Sequence, residues 1–313
     1  MSGGVGVPSS SRASPEPVAA PDVVLVTHRT RAKLLRALGS LPVRDDRRIV
    51  VVDTGSEDGT VAAVRSRRPD VRVLPLANAG FGRGANAGVR ACTSEFVIVA
   101  NADVRFGAGA DEQLAACLAG DSGLGAVGPL VRYPGGEVQA SARRIPSVAD
   151  ALAHAVLGRI APGNRFTRRY HALDRVASGA RDVAWLSGCV MALRREAFED
   201  LGGFDPGYFL YLEDVDLGER LRAAGWRLRF TPTATVWHDV GAATAHRRFR
   251  SLVAHARSLD RYLRGRTRSP WGGVARAGWV PALAAWVVVT WGLERVLGSA
   301  RSSTGERIKA ARS

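Results

Sequence analysis

Short apolar runs alternate with helical patterns over the first third of the sequence. Three runs, DVVLVT (Asp22–Thr27), RIVVVD (Arg48–Asp53) and EFVIVA (Glu95–Ala100), are rich in β-branched residues and show no polar alternation. Unbroken runs of this kind are typical of parallel strands buried on both faces. A helical pattern over Lys33–Leu38 lies between the first two runs and ends at Gly39. The pattern predicts βαβ units, and therefore an α/β fold whose central sheet is mostly parallel and flanked by helices.

The alternation predicts one main domain over residues 21–242, in two halves. Residues 21–104 carry the regular strand and helix alternation of a nucleotide-binding sheet, whose ligands lie at the carboxyl ends of the strands. Residues 105–242 show mixed patterns. Within them, VAWLSGCVMALRR (Val183–Arg195) predicts one long strand with hairpin character.

Both ends of the chain differ from this domain. Residues 1–20 are rich in Pro, Ser and Gly and lack an apolar stretch, so they predict a disordered leader and no signal peptide. Residues 243–297 predict C-terminal helices, the first over about Ala243–Leu263, and residues 298–313 form a basic tail. The three cysteines lie far apart in no metal-type spacing, which favours a reducing compartment such as the cytoplasm.

The charge balance is strongly basic, with 44 Lys and Arg against 29 Asp and Glu and a formal net charge of +15. Only two of the basic residues, Lys33 and Lys309, are lysines. The excess of arginine has two explanations, a GC-rich coding sequence or attraction to anionic partners such as nucleic acid, acidic lipid or pyrophosphate. Composition leaves both open.

Carboxylates stand at the ends of two predicted strands. Asp53 closes RIVVVD before the turn TGSEDGT, and Asp103 follows EFVIVA in the segment ANAD. At such positions Asp53 suits a pyrimidine imide or a ribose, and Asp103 suits Mg²⁺ beside a diphosphate. An Asx turn that only closes the strand is the alternative for Asp53. The next helix is predicted to start near Ser56 as its cap.

The glycine-rich segment NAGFGRGANAG (Asn78–Gly88) allows two interpretations. Gly80, Gly82 and Ala85 fit the pattern G-x-G-x-x-A of dinucleotide-binding folds. Asp103 follows at about the spacing of the acid that binds ribose in those folds. The fingerprint normally belongs to the first βαβ unit, however, and here two earlier strands would be left without a role. The dinucleotide-binding alternative is therefore disfavoured.

The segment FLYLEDVDLGERL concentrates acid in a basic chain, because three carboxylates follow an aromatic and apolar run within four positions. From Leu212 the spacing becomes helical, and Gly225 is placed to end the helix. The acids therefore occupy the first turn of a helix. They are Glu213, Asp214 and Asp216.

Two opposing effects act on acids in this position. The helix dipole lowers the pKa of a carboxyl in the first turn, whereas burial against Phe209 and Tyr211 raises it. A general base needs a pKa near the working pH. Pairing of Asp216 with Arg220 at i, i+4 explains a merely charge-compensated helix start. It does not explain Asp214, which lies on a different face of the helix.

His238 ends the predicted strand TATVWH, directly after a tryptophan. A single histidine is more often structural than a metal ligand. Beside a chain that already offers Asp103, imidazole coordination of a metal is the other interpretation. Both stay open at the level of the residues.

Taken in order, these segments resemble the inverting glycosyltransferases of family 2, which have the GT-A fold. The resemblance runs from about Val23 to Gly241 and rests on VVLVTHRT, VVDTGSEDGT, NAGFGRGANAG, ANADV, WLSGCVMALRREAFEDLGGFDPGYFLYLEDVDLGERLRAAGW and VWH. An ordered set of motifs is far more specific than any one of them. It implies transfer of a sugar from a nucleotide donor by single displacement, with a divalent cation, Mg²⁺ or Mn²⁺, as cofactor.

The resemblance also assigns roles to individual residues. It implies that Asp214 is the catalytic base and that Asp103 and His238 hold the metal. Asn101 stands where the D-x-D motif has its first acid, which removes one carboxylate from the metal site. The implied contacts with the donor nucleotide are Thr27, Asp53, Asn78, Gly82, Asn86, Asn101 and Asp103. The implied contacts with the acceptor are Trp185, Ser187, Gly188, Glu213 and Arg143.

More narrowly, the segments GPLVRYPGGEVQASARRIPS, HAVLGRIAPGNRFTRRY and EDVDLGERLRAAGW are similar to those of actinobacterial cell-wall rhamnosyltransferases. This implies dTDP-L-rhamnose as donor and N-acetylglucosaminyl-diphospho-polyprenol as acceptor, at the cytoplasmic face of the cell membrane. It gives a partner to Arg143, Arg144, Arg168 and Arg169, which suit a pyrophosphate or anionic headgroups. A processive synthase is disfavoured because no Q-x-x-R-W motif is present. A nucleic-acid-binding protein leaves the strand-end acids unexplained.

The segment AGWVPALAAWVVVTWGL (Ala277–Leu293) is uncharged, but it is near the lower limit of length for a membrane span and contains Pro281. Arginines flank it on both sides, which gives no orientation signal and favours an interfacial helix among anionic headgroups. A true span and a buried or oligomer-forming helix are the alternatives. The sequence therefore predicts an anionic membrane surface as a partner.

Overall fold

The computed structural model describes residues 19–143, 179–239, 248–266, 277–281, 283–289 and 291–292. The predictions for the leader before residue 19 and for the basic tail lie outside the described residues. The same holds for Arg144, Arg168 and Arg169.

Strands and helices alternate as the apolar pattern predicts for the first half. The strands are β1 (Asp22–Thr27), β2 (Ile49–Asp53), β3 (Arg72–Pro75), β4 (Phe96–Asn101), β5 (Val104–Phe106), β6 (Leu124–Arg132), β7 (Ala142–Arg143), β8 (Arg181–Val183), β9 (Trp185–Leu186), β10 (Val190–Arg194) and β11 (Arg227–His238). The helices are α1 (Arg31–Gly39), α2 (Thr60–Arg67), α3 (Phe81–Val89), α4 (Ala110–Ala119), α5 (Arg195–Asp200), α6 (Glu213–Ala223) and α7 (Arg248–Arg266). Residues 277–281 and 283–289 are also helical.

One large sheet contains nine of these strands in the order β3-β2-β1-β4-β10-β6-β11-β5, and β8 pairs with β11. The strands β1 to β4 pair in parallel. β10 is antiparallel to both β4 and β6, whereas β11 is parallel to β6. β7 and β9 form a separate two-stranded sheet. The α/β class is confirmed, but the sheet is mixed, and the prediction of a mostly parallel sheet holds only for the first half.

Successive strand residues point to opposite faces of the sheet. Both faces are apolar here, and helices cover both of them. On one face Val23 and Leu25 of β1 pack with Leu34 and Leu38 of α1, together with α4. On the other face Val24 packs with α3, α5 and α6. These strand residues are fully buried, and each such side chain stabilises the fold by about 1.5–3 kcal/mol. The unbroken apolar runs thus reflect burial on two sides.

Two predictions about individual elements are wrong. The expected long strand over residues 183–195 is three short strands, because a turn at Ser187–Cys189 separates β9 from β10. The second helix starts at Thr60 instead of near Ser56, after Gly59 in a left-handed conformation (φ 76°). The hydroxyl of Ser56 instead accepts a hydrogen bond from the backbone N–H of Arg29 at 2.7 Å.

The C-terminal helix α7 begins at Arg248 in the described residues, so the predicted start near residue 243 lies outside them. Among the helices of the described ranges, none unites the length and the apolar composition that crossing a bilayer requires.

Candidate active site

The polar ends of three neighbouring parallel strands lie side by side at one edge of the sheet. Thr27 at the end of β1 is in register with Asp53 at the end of β2, and Val26 is in register with Asn101 at the end of β4. Asp103 follows two residues later. We call Thr27, Asp53, Asn101 and Asp103 the strand-end group. The structure therefore brings together these four predicted donor contacts.

Asp53 is almost fully buried, with 2% of its surface exposed. Its Oδ1 accepts a hydrogen bond from the N–H of Ser56, three residues later, at 2.9 Å, so a local bond closes the strand. Its Oδ2 is also buried but has no hydrogen-bond partner among the described residues. A buried acceptor left unpaired costs about 1–3 kcal/mol. The local bond thus explains one oxygen, and the other suits an N–H donor from a ligand.

Hydrogen bonds of threonine residues fix the carboxyl ends of β1 and β2 relative to each other. The N–H and the hydroxyl of Thr54 both donate to the carbonyl of Thr27 at 2.9 Å. The hydroxyl of Thr27 lies 2.8 Å from that of Thr30, and Nδ1 of His28 lies 2.7 Å from the carbonyl of Thr54. These bonds hold the strand ends in place beside Asp53.

The glycine-rich segment forms the start of α3, after β3, and packs tightly against a later loop. A side chain at Gly82 would place its Cβ 2.9 Å from Cβ of Phe204. Asn86 donates to the carbonyl of Phe204 at 2.8 Å and accepts from its N–H at 2.9 Å. Asn78 is exposed and accepts from the N–H of Gly80 at 3.3 Å. The nucleotide contacts of Asn78, Gly82 and Asn86 stay predictions. The observed contacts of Gly82 and Asn86 are with Phe204.

Asp103 lies in a compact polar cluster below the strand ends. Its Oδ1 is 3.1 Å from Nε2 of His238, and its Oδ2 is 3.3 Å from Nζ of Lys33. Nδ1 of His238 lies 2.8 Å from Oε1 of Gln139, and Lys33 also donates to the carbonyl of Asp239 at 2.5 Å. Burial alone would raise the pKa of Asp103, but the interactions with His238 and Lys33 outweigh it, so the pKa lies below its ordinary value.

The Asp103–His238 pair fits a divalent cation. Nε2 of His238 faces Oδ1 of Asp103, while Nδ1 faces the amide oxygen of Gln139. A divalent cation between Nε2 and Oδ1 would replace the hydrogen bond that joins them at 3.1 Å. Ligands at right angles in an octahedral Mg²⁺ shell are separated by about 3 Å, which matches this spacing. Within the described residues no group of three or more His, Cys, Asp or Glu side chains gathers as a metal site.

A single turn connects the strand-end group with the acids of α6. The N–H of Gly188 donates to Oδ2 of Asp214 at 2.8 Å. The carbonyl of the next residue, Cys189, accepts from the N–H of Asn101 at 2.9 Å. A Cβ at Gly188 would stand 3.2 Å from Cβ of Asp214, so the glycine allows the turn and the acid to lie this close. The two predicted centres of chemistry thus lie on either side of one turn.

The two acids at the start of α6 differ in their environment. Asp214 is partly exposed, and the N–H groups of Gly188 and Val215 orient its two oxygens, each at 2.8 Å. Glu213 is only 6% exposed, and its Oε2 has no partner among the described residues. Burial, with a smaller contribution from the charge of Asp214, raises the pKa of Glu213 to about 8. We call Glu213 and Asp214 the helix-start group.

The chain enters α6 through a strained turn. Tyr211 and Leu212 have φ of 71° and 66°, the left-handed region that side chains other than glycine rarely adopt. Each such residue costs about 1–3 kcal/mol and persists only where its surroundings fix it. Phe209 was expected to be buried, but it is 50% exposed. The nearby aromatic side chains of Tyr208 and Phe204 are buried.

The predicted acceptor residues flank the helix-start group. In the small sheet, Arg143 of β7 is opposite Trp185 of β9. Trp185 is half-buried, and the N–H of Ser187 donates to the carbonyl of Ser141 at 2.8 Å. The pairing with β7 and the bond to Ser141 position Trp185 and Ser187, which lie just before Gly188 in the chain. The segments that carry the predicted acceptor contacts are therefore adjacent.

The sequence did not predict two side chains, Lys33 and Gln139, of the polar cluster around Asp103. Lys33 had a detectable signal, since it is one of two lysines in a chain that otherwise uses arginine. Gln139 had none, because a glutamine in a loop carries no pattern that points to a histidine about a hundred residues away.

Comparisons with known proteins show which family the chain resembles. Residues 21–269 match the model of a family described as "Glycosyltransferase like family 2". The chain is also 39% identical over 263 residues to an N-acetylglucosaminyl-diphospho-decaprenol L-rhamnosyltransferase of Mycobacterium tuberculosis. That match covers 80% of this chain and 85% of the relative.

Solved structures show the same fold at low sequence identity. The mannosyltransferase PcManGT from Pyrobaculum calidifontis, in complex with GDP-Man and Mn²⁺, superimposes with a TM-score of 0.53 at 19% identity. The match covers 95% of this chain and 83% of that one. GalNAc-T7 with UDP, GalNAc and Mn²⁺ gives a TM-score of 0.55 at 18% identity, over 72% of this chain and 44% of that one.

Proposed function

Because the chain belongs to glycosyltransferase family 2, we propose that it transfers L-rhamnose from dTDP-L-rhamnose, with inversion, onto an N-acetylglucosaminyl-diphospho-polyprenol acceptor. The rhamnosyltransferase of Mycobacterium tuberculosis, with 39% identity over most of both chains, supports this choice of donor and acceptor. Family membership also replaces the dinucleotide-binding and nucleic-acid-binding alternatives.

The observation that carries the proposal is the Gly188–Cys189 turn. It holds Asp214 on one side and the backbone of Asn101 on the other. A displacement reaction needs a base on one face of the reacting carbon and a stabilised leaving group on the opposite face. The turn sets these two centres at a fixed separation.

Asp214 serves as the general base. Its partly exposed carboxylate takes the proton of the acceptor hydroxyl while that oxygen forms a bond to the anomeric carbon of the donor. The bond from the same carbon to the diphosphate breaks on the opposite face, and its electron pair leaves with the diphosphate. One displacement of this kind inverts the anomeric centre. The N–H groups of Gly188 and Val215, which donate to Asp214, hold its oxygens in position during the transfer.

The unpaired Oδ2 of Asp53 suits the imide N–H of thymine, because it is a buried acceptor at the end of β2. Such a contact would pair an atom that is otherwise costly to bury. Thr27, in register with Asp53, lies at the same level of the sheet and suits the ribose.

A divalent cation would be held by Oδ1 of Asp103 and Nε2 of His238, with Gln139 orienting the imidazole. When bound, it neutralises charge on a leaving diphosphate. The Mn²⁺ complexes of PcManGT and GalNAc-T7 support this assignment to a metal, and we propose Mg²⁺ or Mn²⁺ here. Lys33 keeps Oδ2 of Asp103 fixed from the other side.

The acceptor proposal includes the cytoplasmic face of the cell membrane, since a polyprenyl diphosphate is anchored in lipid. Among the helical residues 277–281 and 283–289, Val280, Val288 and Val289 are exposed apolar side chains. Exposed apolar groups beside arginines suit the boundary between headgroups and acyl chains. We propose that this segment attaches the enzyme peripherally.

The proposed activity is tested with a panel of dTDP-, UDP- and GDP-sugars and a synthetic N-acetylglucosaminyl-diphospho-lipid acceptor. We expect the fastest transfer from dTDP-L-rhamnose and an inverted product linkage. Faster transfer from a UDP- or GDP-sugar would replace rhamnose but keep the family reaction. Transfer to no acceptor of this class would contradict the acceptor assignment.

Attachment is tested by removing the chain from Trp271 onward. We expect the shortened enzyme to act on a short-chain acceptor and to lose flotation with anionic liposomes. Binding of the full chain should also fall as salt rises, because the arginines act through a screened field. Unchanged flotation after truncation would place the attachment elsewhere.

A further inference from the structure

The strained turn before α6 raises the question of what keeps it in place. Tyr211 and Leu212 are consecutive left-handed residues without a glycine, and Glu213 and Asp214 follow immediately. A backbone in this region relaxes unless neighbouring contacts fix it. Any relaxation would rotate the first turn of α6 and move the carboxylate of Asp214.

The contacts that fix the turn come largely from α7. The hydroxyl of Ser258 donates to the carbonyl of Leu210 at 2.8 Å. The hydroxyl of Tyr211 lies 2.5 Å from that of Ser251, and its ring centre lies 5.2 Å from that of His255. The turn is therefore held by α7 through both its backbone and its aromatic side chain.

Further contacts of α7 secure the two ends of the segment. Upstream, the guanidinium of Arg261 forms a forked pair with Asp205, at 2.8–3.0 Å. Downstream, the hydroxyl of Tyr262 donates to Glu219 of α6 at 2.9 Å. Four of the contacting residues of α7 are spaced at a helical period, so they share one face. They are Ser251, His255, Ser258 and Tyr262.

Ser258 is the most informative of these residues. It is 4% exposed, in a helix whose other described side chains are half-buried or exposed. A buried hydroxyl is costly unless it is paired, and its partner here is a carbonyl next to the strained turn. The position of this polar group is thus accounted for by its bond to Leu210.

We propose that Ser258 and Tyr211 are positioning residues, through which α7 holds the left-handed turn that aims Asp214 at the acceptor. The proposal rests on the proposed function in one respect, since it takes Asp214 as the catalytic base. It makes α7 part of the active-site structure rather than only a connection to the C-terminal segment.

The test uses the full-length chain with Ser258→Ala and, separately, Tyr211→Phe. We expect kcat to fall about 10-fold in each, because a small misplacement of a reacting group is costly, while the affinity for the dTDP-sugar stays within about 2-fold. Arg264→Ala is the matched control. Arg264 is exposed, and among the described residues it pairs with Asp260 on the same helix, so kcat should not change.

A rescue experiment separates positioning from general stability. Glycine adopts the left-handed region without strain, so Leu212→Gly lets the turn keep its shape with less help from α7. In the Leu212→Gly background, Ser258→Ala should therefore lower kcat by about 2-fold instead of about 10-fold. Equal losses in both backgrounds would overturn the proposal. So would a Ser258→Ala enzyme that loses melting temperature but keeps its kcat.

Amide hydrogen exchange gives a readout that does not depend on the substrate. In Ser258→Ala, exchange should accelerate at residues 213–216 and stay unchanged at the ends of β1 and β2. If no donor in the panel is turned over, the proposed function fails while this measurement still decides the positioning role. Unchanged exchange at residues 213–216 would overturn that role.

Discussion

The strand-end group and the helix-start group place carboxylates beside the same turn by opposite means. Asp53 and Asp103 follow regular parallel strands, so ordinary sheet pairing sets their positions. Glu213 and Asp214 follow two left-handed residues and depend on contacts from a helix far along the chain. One site therefore combines a group positioned by local structure with another positioned by tertiary contacts.

The two groups also differ in how their charges are balanced. Asp103 has two basic neighbours, His238 and Lys33, and the pKa of its carboxyl lies below its ordinary value. Glu213 has another acid as its neighbour, and its pKa is raised to about 8. The strand-end group is therefore suited to a permanently charged role beside a metal. The helix-start group is suited to handling a proton.

The largest effect should come from Asp214→Asn. The amide removes the proton acceptor, so kcat should fall by at least about 10²-fold, while donor affinity stays within a few-fold. One of its two backbone N–H bonds is also lost, because an amide has only one acceptor atom. The melting temperature must therefore be measured along with kcat. Near-normal kcat would mean that the base lies elsewhere.

Asp103→Asn should be nearly as severe, with a loss of about 10²-fold in activity and clearly weaker Mn²⁺ binding by calorimetry. His238→Ala should weaken both less. Lys33→Met tests the same cluster in the opposite direction. It removes an ammonium 3.3 Å from Oδ2 of Asp103, so Mn²⁺ should bind more tightly. Full activity in EDTA, or weaker Mn²⁺ binding in Lys33→Met, would contradict this assignment.

Glu213→Gln should change the melting temperature moderately, by an amount that depends on pH. The pKa of Glu213 is raised from 4.5 to about 8, so its contribution to stability is present below about pH 4.5 and is lost as pH rises to 8. A tenfold change in proton affinity is worth about 1.4 kcal/mol. The variant should therefore melt several degrees above the parent at pH 9 and close to it at pH 4.5. A constant difference across this range would mean that Glu213 is not buried as a neutral acid.

The smallest effect should come from Asp216→Asn, in the same turn as Asp214. Its Oδ2 accepts from Arg220 at 2.7 Å, and Arg220 also donates to the carbonyls of Leu201 and Gly203. The pair is thus partly buried, and its loss should cost about 1 kcal/mol with kcat within about 2-fold. Glu199→Gln, which breaks a more exposed i, i+4 pair with Arg195, should cost about 0.5 kcal/mol or less. An inactive but folded Asp216→Asn would transfer the role of base to Asp216.

The regular half could be predicted closely from the sequence. Residues 22–27 were expected as a strand and form β1, and the strands ending near Asp53 and Asn101 differ from expectation by one residue at each shifted end. Their apolar runs record burial on both faces, which is a local signal. The ends of these strands, and with them Asp53 and Asp103, follow directly.

The helix-start group could be predicted only in part. Its acids and the helical period of α6 are visible, but neither Tyr211 nor Leu212 is a residue that favours a left-handed turn. Their conformation results from contacts with α7, which lies about forty residues later in the chain. Tertiary contacts of this kind leave no periodic signal in the sequence.

The position of β10 makes the two halves inseparable in folding. This strand comes from the second half, yet it pairs with β4 of the first half and with β6 on its other side. If the chain were cut after residue 104, β4 would present to solvent an unpaired edge, FVIVAN, that is apolar except for Asn101. Such an edge is a template for aggregation. The two halves should therefore be insoluble when expressed separately, and the described sheet should unfold in a single cooperative transition.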